Sequence, residues 1–258
     1  MKYVRLLVLA TVALVVTACG NSGGNTALRP DETDAVKASS INKQLGTAYL
    51  RQGNLALAKE KLERAEKYNA QDPELQSVLA LLYERLNMPE QVDAHYRTAI
   101  RLAPKDPQVS NNYAVYLCRA GRTEEGVKRF LDAARNPLYR TPEAAYTNAG
   151  VCLRAAKRYD DASTTFQRAL QIRPNYAEAV FQSADLELER GQFAQGREQV
   201  DKYLATFDAT PELLLLGVQL NQALGDRLGA EKYTRRLRVE FPASQQLKYL
   251  SESKRNPG

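Results

Sequence analysis

The stretch YAVYLCRAGRTEEGVKRFLDA, residues 113–133, contains a pattern that returns along the chain at an interval of about 34 residues. Its first half places a small residue after a larger neighbour and a large apolar residue three positions on; its second half alternates small, large and small residues. The first half recurs as Leu45-Gly46 with Tyr49, Leu79-Ala80 with Tyr83, Tyr113-Ala114 with Leu117, and Ala149-Gly150 with Leu153. The second half recurs as Ala58-Leu62-Ala65, Val92-Tyr96-Ala99, Gly126-Phe130-Ala133 and Ala162-Phe166-Ala169. Small residues let two helices approach closely and large ones fill the adjacent space, so the pattern predicts helix pairs that bury their apolar faces by stacking.

This spacing resembles the tetratricopeptide repeat, in which each unit is a pair of antiparallel helices. It predicts an all-α fold, a right-handed superhelical solenoid of about six helix-turn-helix repeats. The repeats are expected at about 39–72, 73–106, 107–142, 143–175, 176–210 and 211–244. The fifth and sixth repeats fit the pattern least well, as expected near the end of a stack that needs a more polar outer face. The superhelix is predicted to span residues 35–250, and residues 251–258 are expected to form a frayed tail.

The N-terminal segment has the features of an export signal. Lys2 and Arg5 precede an apolar run from Leu6 to Val16 that is short for a membrane span. The sequence that ends at Cys19 resembles a bacterial lipobox, which predicts a signal peptide over residues 1–18 and lipidation of Cys19. A plain secretory signal that is cleaved near a cysteine is the alternative.

The residues that follow Cys19 predict how the body of the protein is held. Residues 19–34 are rich in Gly, Asn, Ser and Thr and are expected to form a flexible tether. By resemblance to known sorting signals, Gly20 directly after the cysteine implies delivery to the outer membrane. The expected location is therefore the periplasmic face of the outer membrane, with a lipid anchor.

Composition and motif content argue against several functional classes. The formal net charge is +6, but no Lys/Arg run with interleaved aromatics is present, which argues against nucleic-acid binding. We find no Ser/His/Asp arrangement, no phosphate-binding glycine loop and no Cys-x-x-Cys pair, so no catalytic residue, metal site, cofactor or small-molecule substrate is predicted. The single histidine, His95, is expected to face solvent on a second helix.

Cys118 and Cys152 lie one repeat length apart, and both are near the end of a predicted first helix. First helices of neighbouring repeats lie side by side, so the pair is predicted to form a disulfide in an oxidising compartment. Such a bond contributes about 3–4 kcal/mol in the chain-entropy model. Two independent buried thiols are the alternative.

The first helices are expected to line a concave groove that binds a partner. Its predicted floor is an apolar row of Leu50, Leu81, Val115 and Val151. Beside this floor runs a predicted basic row of Arg51, Arg85, Arg119 and Arg154. Such a groove suits an amphipathic helix or an extended peptide that carries carboxylates. The alternative is that the aliphatic residues are ordinary core and the arginines are only solvated.

Several stretches together resemble the pilotin lipoproteins of type IV pili, the PilF/PilW family. They are 111–118, 136–139, 148–152, 224–227 and 237–242, that is NNYAVYLC, NPLY, NAGVC, LGDR and LRVEFP. The resemblance implies a non-enzymatic outer-membrane lipoprotein that binds secretin subunits in its groove and promotes their assembly for type IV pilus biogenesis. A periplasmic repeat scaffold for cell-wall enzymes or for the outer-membrane protein insertion machinery is the alternative.

Overall fold

The computed structural model describes residues 30–255, and over this range it contains 13 helices and no strand. The predicted signal peptide and Cys19 lie outside the described residues. The helices are α1 Pro30–Arg51, α2 Leu55–Tyr68, α3 Pro73–Arg85, α4 Pro89–Leu102, α5 Pro107–Arg119, α6 Thr123–Arg135, α7 Pro142–Ala155, α8 Tyr159–Ile172, α9 Ala177–Glu189, α10 Phe193–Leu204, α11 Pro211–Ala223, α12 Arg227–Glu240 and α13 Gln245–Arg255.

The helices pack as six consecutive pairs, from α1 with α2 to α11 with α12, and α13 packs on the last pair. Each first helix also contacts the first helix of the next pair. Within residues 30–255, by contrast, no second helix contacts another second helix. The first helices therefore line the shorter, concave side of the stack. The prediction of an all-α solenoid of stacked helix pairs is confirmed.

Close approach within each pair depends on the small residues that the sequence pattern contains. Gly46 faces Leu62, and Gly150 faces the Phe166 ring; a Cβ atom at either glycine would overlap the facing side chain. Leu62 and Phe166 are fully buried as a result. The small residue on the first helix and the large one on the second thus form one packing unit, and burial of each large side chain contributes about 1.5–3 kcal/mol.

Asp-Pro pairs start two of the first helices. The Asp72 carboxylate accepts hydrogen bonds from the backbone N–H groups of Glu74 and Leu75 at 2.9 and 3.2 Å, and Asp106 caps α5 in the same way. The proline that follows each aspartate suits the first helical position, where no N–H donor is needed.

The turn between the two helices of a pair requires a left-handed backbone at one position. Four repeats place a glycine there, with φ between +73° and +78°. The second and fourth repeats place Asn87 and Lys157 there instead, with φ of 56° and 59°. Both residues carry a Cβ atom that disfavours this conformation, but the short polar side chain of asparagine can offset the cost by local hydrogen bonding, whereas lysine has no such compensation.

Two predicted boundaries differ from the structure. Residues 30–34, predicted as the end of the tether, belong to α1, because Pro30 suits the first position of a helix. Residues 251–255, predicted as part of a frayed tail, belong to α13, a separate helix that follows the break at Phe241-Pro242. Leu247 and Leu250 on α13 pack against the core of the last repeats, which explains why this helix is ordered.

The weak fifth repeat contains a buried carboxylate. Glu187 is 1% exposed, at the position that Leu117 and Leu153 occupy in earlier repeats, and its Oε2 atom has no hydrogen-bond partner among the side chains that the structure describes. Burial raises the pKa of Glu187 above its ordinary value, and nearby Arg190 offsets this only in part. Deprotonation therefore costs more free energy in the folded protein than in the unfolded chain.

Replacement of Lys157 by glycine should stabilise the protein. Glycine adopts the left-handed conformation freely, so we expect Lys157→Gly to raise the free energy of unfolding by about 1 kcal/mol in a urea titration. The control is Lys128→Gly on the exposed face of α6, which should lower it by about 1 kcal/mol. Equal destabilisation by both variants would contradict the conclusion that the left-handed backbone at Lys157 is unfavourable for lysine.

Replacement of Glu187 by leucine should stabilise the protein at pH 7 by about 1–3 kcal/mol, because it removes an unpaired buried polar group. The folded pKa is raised, so the destabilisation by Glu187 grows as pH rises through that pKa. The gain should therefore shrink as pH falls toward the ordinary Glu value of 4.5. Urea titrations at both pH values measure this, with Glu198→Leu on the exposed face of α10 as a control that stays within about 0.5 kcal/mol. A gain independent of pH would show that packing alone is responsible.

Candidate functional site

An apolar row crosses the concave face at the middle of the stack. Leu81 on α3, Val115 on α5 and Val151 on α7 occupy corresponding positions in three consecutive first helices. Leu81 is 37% exposed, Val151 is 38% exposed and Val115 is partly buried. The floor of the groove therefore presents three aliphatic side chains to solvent.

The fourth predicted floor residue, Leu50, lies elsewhere. It is 4% exposed and packs in the core of the first three repeats. Leu81 and Val115 are one repeat length apart, and the residue at the same interval before Leu81 is Thr47. In the first repeat the floor position is thus held by Thr47, whose hydroxyl donates to the Lys43 carbonyl at 2.8 Å.

The four predicted arginines differ in how far they are neutralised. Arg51 and Arg85 are exposed and form no salt bridge with any side chain between residues 33 and 252. Arg119 is exposed but lies 3.1 Å from Glu84. The structure therefore leaves Arg51 and Arg85 as the cations most available to a bound carboxylate.

Arg154 is held by two acidic partners. Its guanidinium lies 2.8 Å from Asp185 and 2.7 Å from Glu189, and its side chain is largely covered. Burial lowers the pKa of Arg154, but hydrogen bonds with Glu189 and Asp185 more than offset this and raise the pKa overall. This arginine links the fourth and fifth repeats and is not free to bind a ligand.

The two cysteines lie beside the apolar row. The structure joins Cys118 and Cys152 by a disulfide, with their Cα atoms 5.5 Å apart. Gly126 on α6 makes room for it, because a Cβ atom at that position would overlap the Cys118 sulfur. A cavity of about 300 Å³ opens next to the disulfide. It is lined by Val115, Cys118, Arg119, Phe130, Asn148, Val151, Cys152 and Ala155.

Two residues that line this cavity, Phe130 and Asn148, were not identified from the sequence as part of the groove. Phe130 reaches the cavity from a second helix, and Asn148 lines it from α7. Asn111 lies one turn before Val115, and its buried Oδ1 atom has no hydrogen-bond partner among the described residues. Asn111 and Asn148 occur in two of the five sequence stretches that resemble the PilF/PilW family, which was the available signal for Asn148.

The structure corrects the expectation that His95 faces solvent. Its ring stacks on Tyr83 with centroids 5.1 Å apart, and its Nδ1 atom lies 2.7 Å from Gln76 Oε1. Burial lowers the pKa of His95, although Glu66 and Glu63 act in the opposite direction. His95 is thus a packed residue between α4 and α3, the two helices of the second repeat.

Two features are absent from the part of the chain that the structure describes. It contains no group of three or more His, Cys, Asp or Glu side chains that could hold a metal ion. None of its helices has the length and apolar character that crossing a membrane requires.

Stacked helix pairs, with a small residue against a large one in each pair and a groove along the first helices, define a helical-repeat solenoid. A family model described as tetratricopeptide repeat matches residues 43–107 and 113–177, and a second model of the same description matches residues 153–220. The chain therefore belongs to the tetratricopeptide-repeat family.

The chain is also homologous to proteins of type IV pilus biogenesis. The type IV pilus assembly protein PilF of Pseudomonas aeruginosa is 27% identical over 242 residues, which are 93% of this chain and 95% of PilF. The crystal structure of PilW, a widely conserved type IV pilus biogenesis factor, aligns with a TM-score of 0.64 and 28% identity, over 82% of this chain and 97% of PilW. The solved structure of Pseudomonas aeruginosa PilF aligns with a TM-score of 0.63 and 25% identity, over 85% of this chain and 99% of PilF. The predicted resemblance to the PilF/PilW family is confirmed.

A formed disulfide makes a clear chemical prediction for the chain from Gly20 onward. When this chain is unfolded without reductant, neither Cys118 nor Cys152 should react with a maleimide, and both should react after reduction. Reduction should also lower the free energy of unfolding by about 3 kcal/mol. A Cys118→Ala/Cys152→Ala variant is the control, since reductant should not change its stability. Labelling of both cysteines before reduction would show that the bond is absent.

Proposed function

We propose that this protein is an outer-membrane lipoprotein that acts as a pilotin. In this role it binds secretin subunits and promotes their localisation to the outer membrane and their multimerisation for type IV pilus biogenesis. The observation that carries the proposal is the homology to PilF, which extends over nearly the whole length of both chains. The role is one of binding and assembly, without catalysis.

The concave groove supports binding of a peptide segment. Leu81, Val115 and Val151 offer an apolar floor, and the cavity beside the disulfide can accept one larger side chain. Arg51 and Arg85 offer cations along the same face that no described acidic side chain neutralises. We therefore expect the bound segment to be an amphipathic helix or an extended strand with aliphatic residues on one side and carboxylates beside them.

A polar atom without a hydrogen-bond partner, close to the groove floor, favours a partner that presents hydrogen-bond donors. The Asn111 Oδ1 atom is buried without a hydrogen-bond partner among the described side chains and backbone, one turn from the floor residue Val115. A buried acceptor without a donor is unfavourable by about 1–3 kcal/mol. If the Asn111 side chain rotates toward the groove, a backbone N–H or a polar side chain of the bound segment would satisfy this acceptor and add specificity to the apolar contact.

Membrane attachment is assigned to Cys19 by this proposal. Stable anchoring requires more than one acyl chain, because a single chain gives only marginal binding. The segment from Cys19 to Pro30 is short and spans at most about 40 Å when fully extended. The first repeat would therefore work close to the periplasmic face of the membrane, where secretin subunits must assemble.

Charge placed on the groove floor should abolish secretin binding. The double variant Leu81→Glu/Val151→Glu buries two carboxylates under any bound segment, so we expect at least about a hundredfold weaker binding of the secretin. Co-purification from detergent-solubilised membranes measures it, together with the amount of secretin multimer. Helical circular dichroism should be unchanged, because both side chains are already exposed in the free protein.

The matched control is Leu138→Glu/Ile172→Glu, which changes two exposed apolar side chains outside the groove. This variant should bind secretin normally. Retained binding by the groove variant, with an intact fold, would exclude the groove. If deletion of the protein leaves secretin multimers and surface pili intact but impairs envelope growth or protein insertion, the scaffold alternative replaces the pilotin proposal.

A further inference from the structure

The positive charge of the described chain is concentrated at its C-terminal end. Residues 227–255, which form α12 and α13, contain eight Lys and Arg against three Glu. Residues 30–226 contain 25 Lys and Arg against 27 Asp and Glu, so the remaining repeats are close to neutral. The last two helices therefore carry an excess of five positive charges in a short segment.

One face of α12 combines this charge with exposed aliphatic side chains. Leu228 is 86% exposed and Val239 is 73% exposed, and both Lys232 and Arg235 between them are exposed. The four residues follow the i, i+4, i+7, i+11 spacing that places side chains in one row on a helix. We call this row the outward stripe. It lies opposite the buried residues Ala230, Tyr233, Thr234 and Leu237, which face the core.

The cations of the stripe have no acidic partner among the described residues. Neither Lys232 nor Arg235 forms a salt bridge or a side-chain hydrogen bond within residues 33–252, whose side chains the structure describes. The nearby Arg236 is already paired with Glu240 at 2.7 Å. Exposed Arg227 and Arg238 flank the stripe on one side, together with a single acid, Glu231. The potential at this face is therefore positive.

We propose that the outward stripe binds an anionic phospholipid surface. Leu228 and Val239 stand about three helical turns apart on a ridge, where both can enter the headgroup region at once. Lys232 and Arg235 would lie between them, at the level of the lipid phosphates. An acidic protein would complement the charge equally well, but the two aliphatic side chains stand on a ridge. The cavity beside this ridge is lined by other residues, Gln222, Gly225, Arg227, Ala230, Glu231 and Thr234, so it does not use the stripe. The inference rests on α12 alone and does not depend on what binds in the concave groove.

The test uses the chain from Gly20 onward, which lacks the predicted lipid and contains every residue of the solenoid described above. Binding is measured by co-sedimentation with vesicles of phosphatidylcholine mixed with phosphatidylglycerol, and with vesicles of phosphatidylcholine alone. We expect binding to the anionic vesicles only. Lys232→Glu/Arg235→Glu should weaken this binding by about tenfold or more. Leu228→Ser/Val239→Ser should weaken it as well, since the aliphatic side chains would no longer enter the headgroup region.

The matched control is Lys128→Glu/Arg168→Glu, which changes the net charge equally at exposed positions on α6 and α8. It should keep the binding of the unmodified chain to within about twofold, because attraction to a membrane surface falls off over a Debye length of about 10 Å. An equal loss in control and stripe variants would show that net charge alone is responsible and would overturn the proposal. It would also be overturned if the anionic vesicles did not bind the chain, or if the serine variant bound them unchanged.

Discussion

The structure depends on the packing of a small residue on each first helix against a large residue on its second helix. Gly46 with Leu62 and Gly150 with Phe166 leave no room for a further Cβ atom, so the two helices of a pair are fixed at short distance. This contact orients every pair in the same way. Each pair can then pack on the next, and the first helices of successive pairs meet on the concave side. The groove is thus a consequence of the small-against-large packing within each helix pair.

Much of this fold was predictable because the paired small and large residues recur in the sequence at an interval of about 34 residues. The groove was harder to predict. Leu50 and Leu81 are both leucines near the end of a first helix, but only Leu81 is exposed, because the floor position in the first repeat belongs to Thr47. The repeat length places Thr47, and not Leu50, one interval before Leu81, so a strict register would have assigned Leu50 to the core. Phe130 lines the cavity from α6, a second helix that packs against both α5 and α7, and this tertiary contact has no local signal in the sequence.

The surfaces of the solenoid also differ in how far their charged side chains are paired. In the middle repeats most arginines are neutralised by acidic residues of the same or the next repeat, as Arg154 is by Asp185 and Glu189. Such pairs stabilise the register between repeats and leave few free cations. The described cations without a salt bridge include Arg51 and Arg85 along the groove and Lys232 and Arg235 on α12.

The most direct test is hydrogen–deuterium exchange on the protein, alone and mixed with the secretin that is proposed as its partner. Backbone amides exchange more slowly where a partner excludes solvent and reduces local opening. We expect slower exchange in the presence of the secretin in α3, α5 and α7, the helices that carry Leu81, Val115 and Val151. Slower exchange confined to the second helices α4, α6 and α8, with the first helices unchanged, would contradict this expectation.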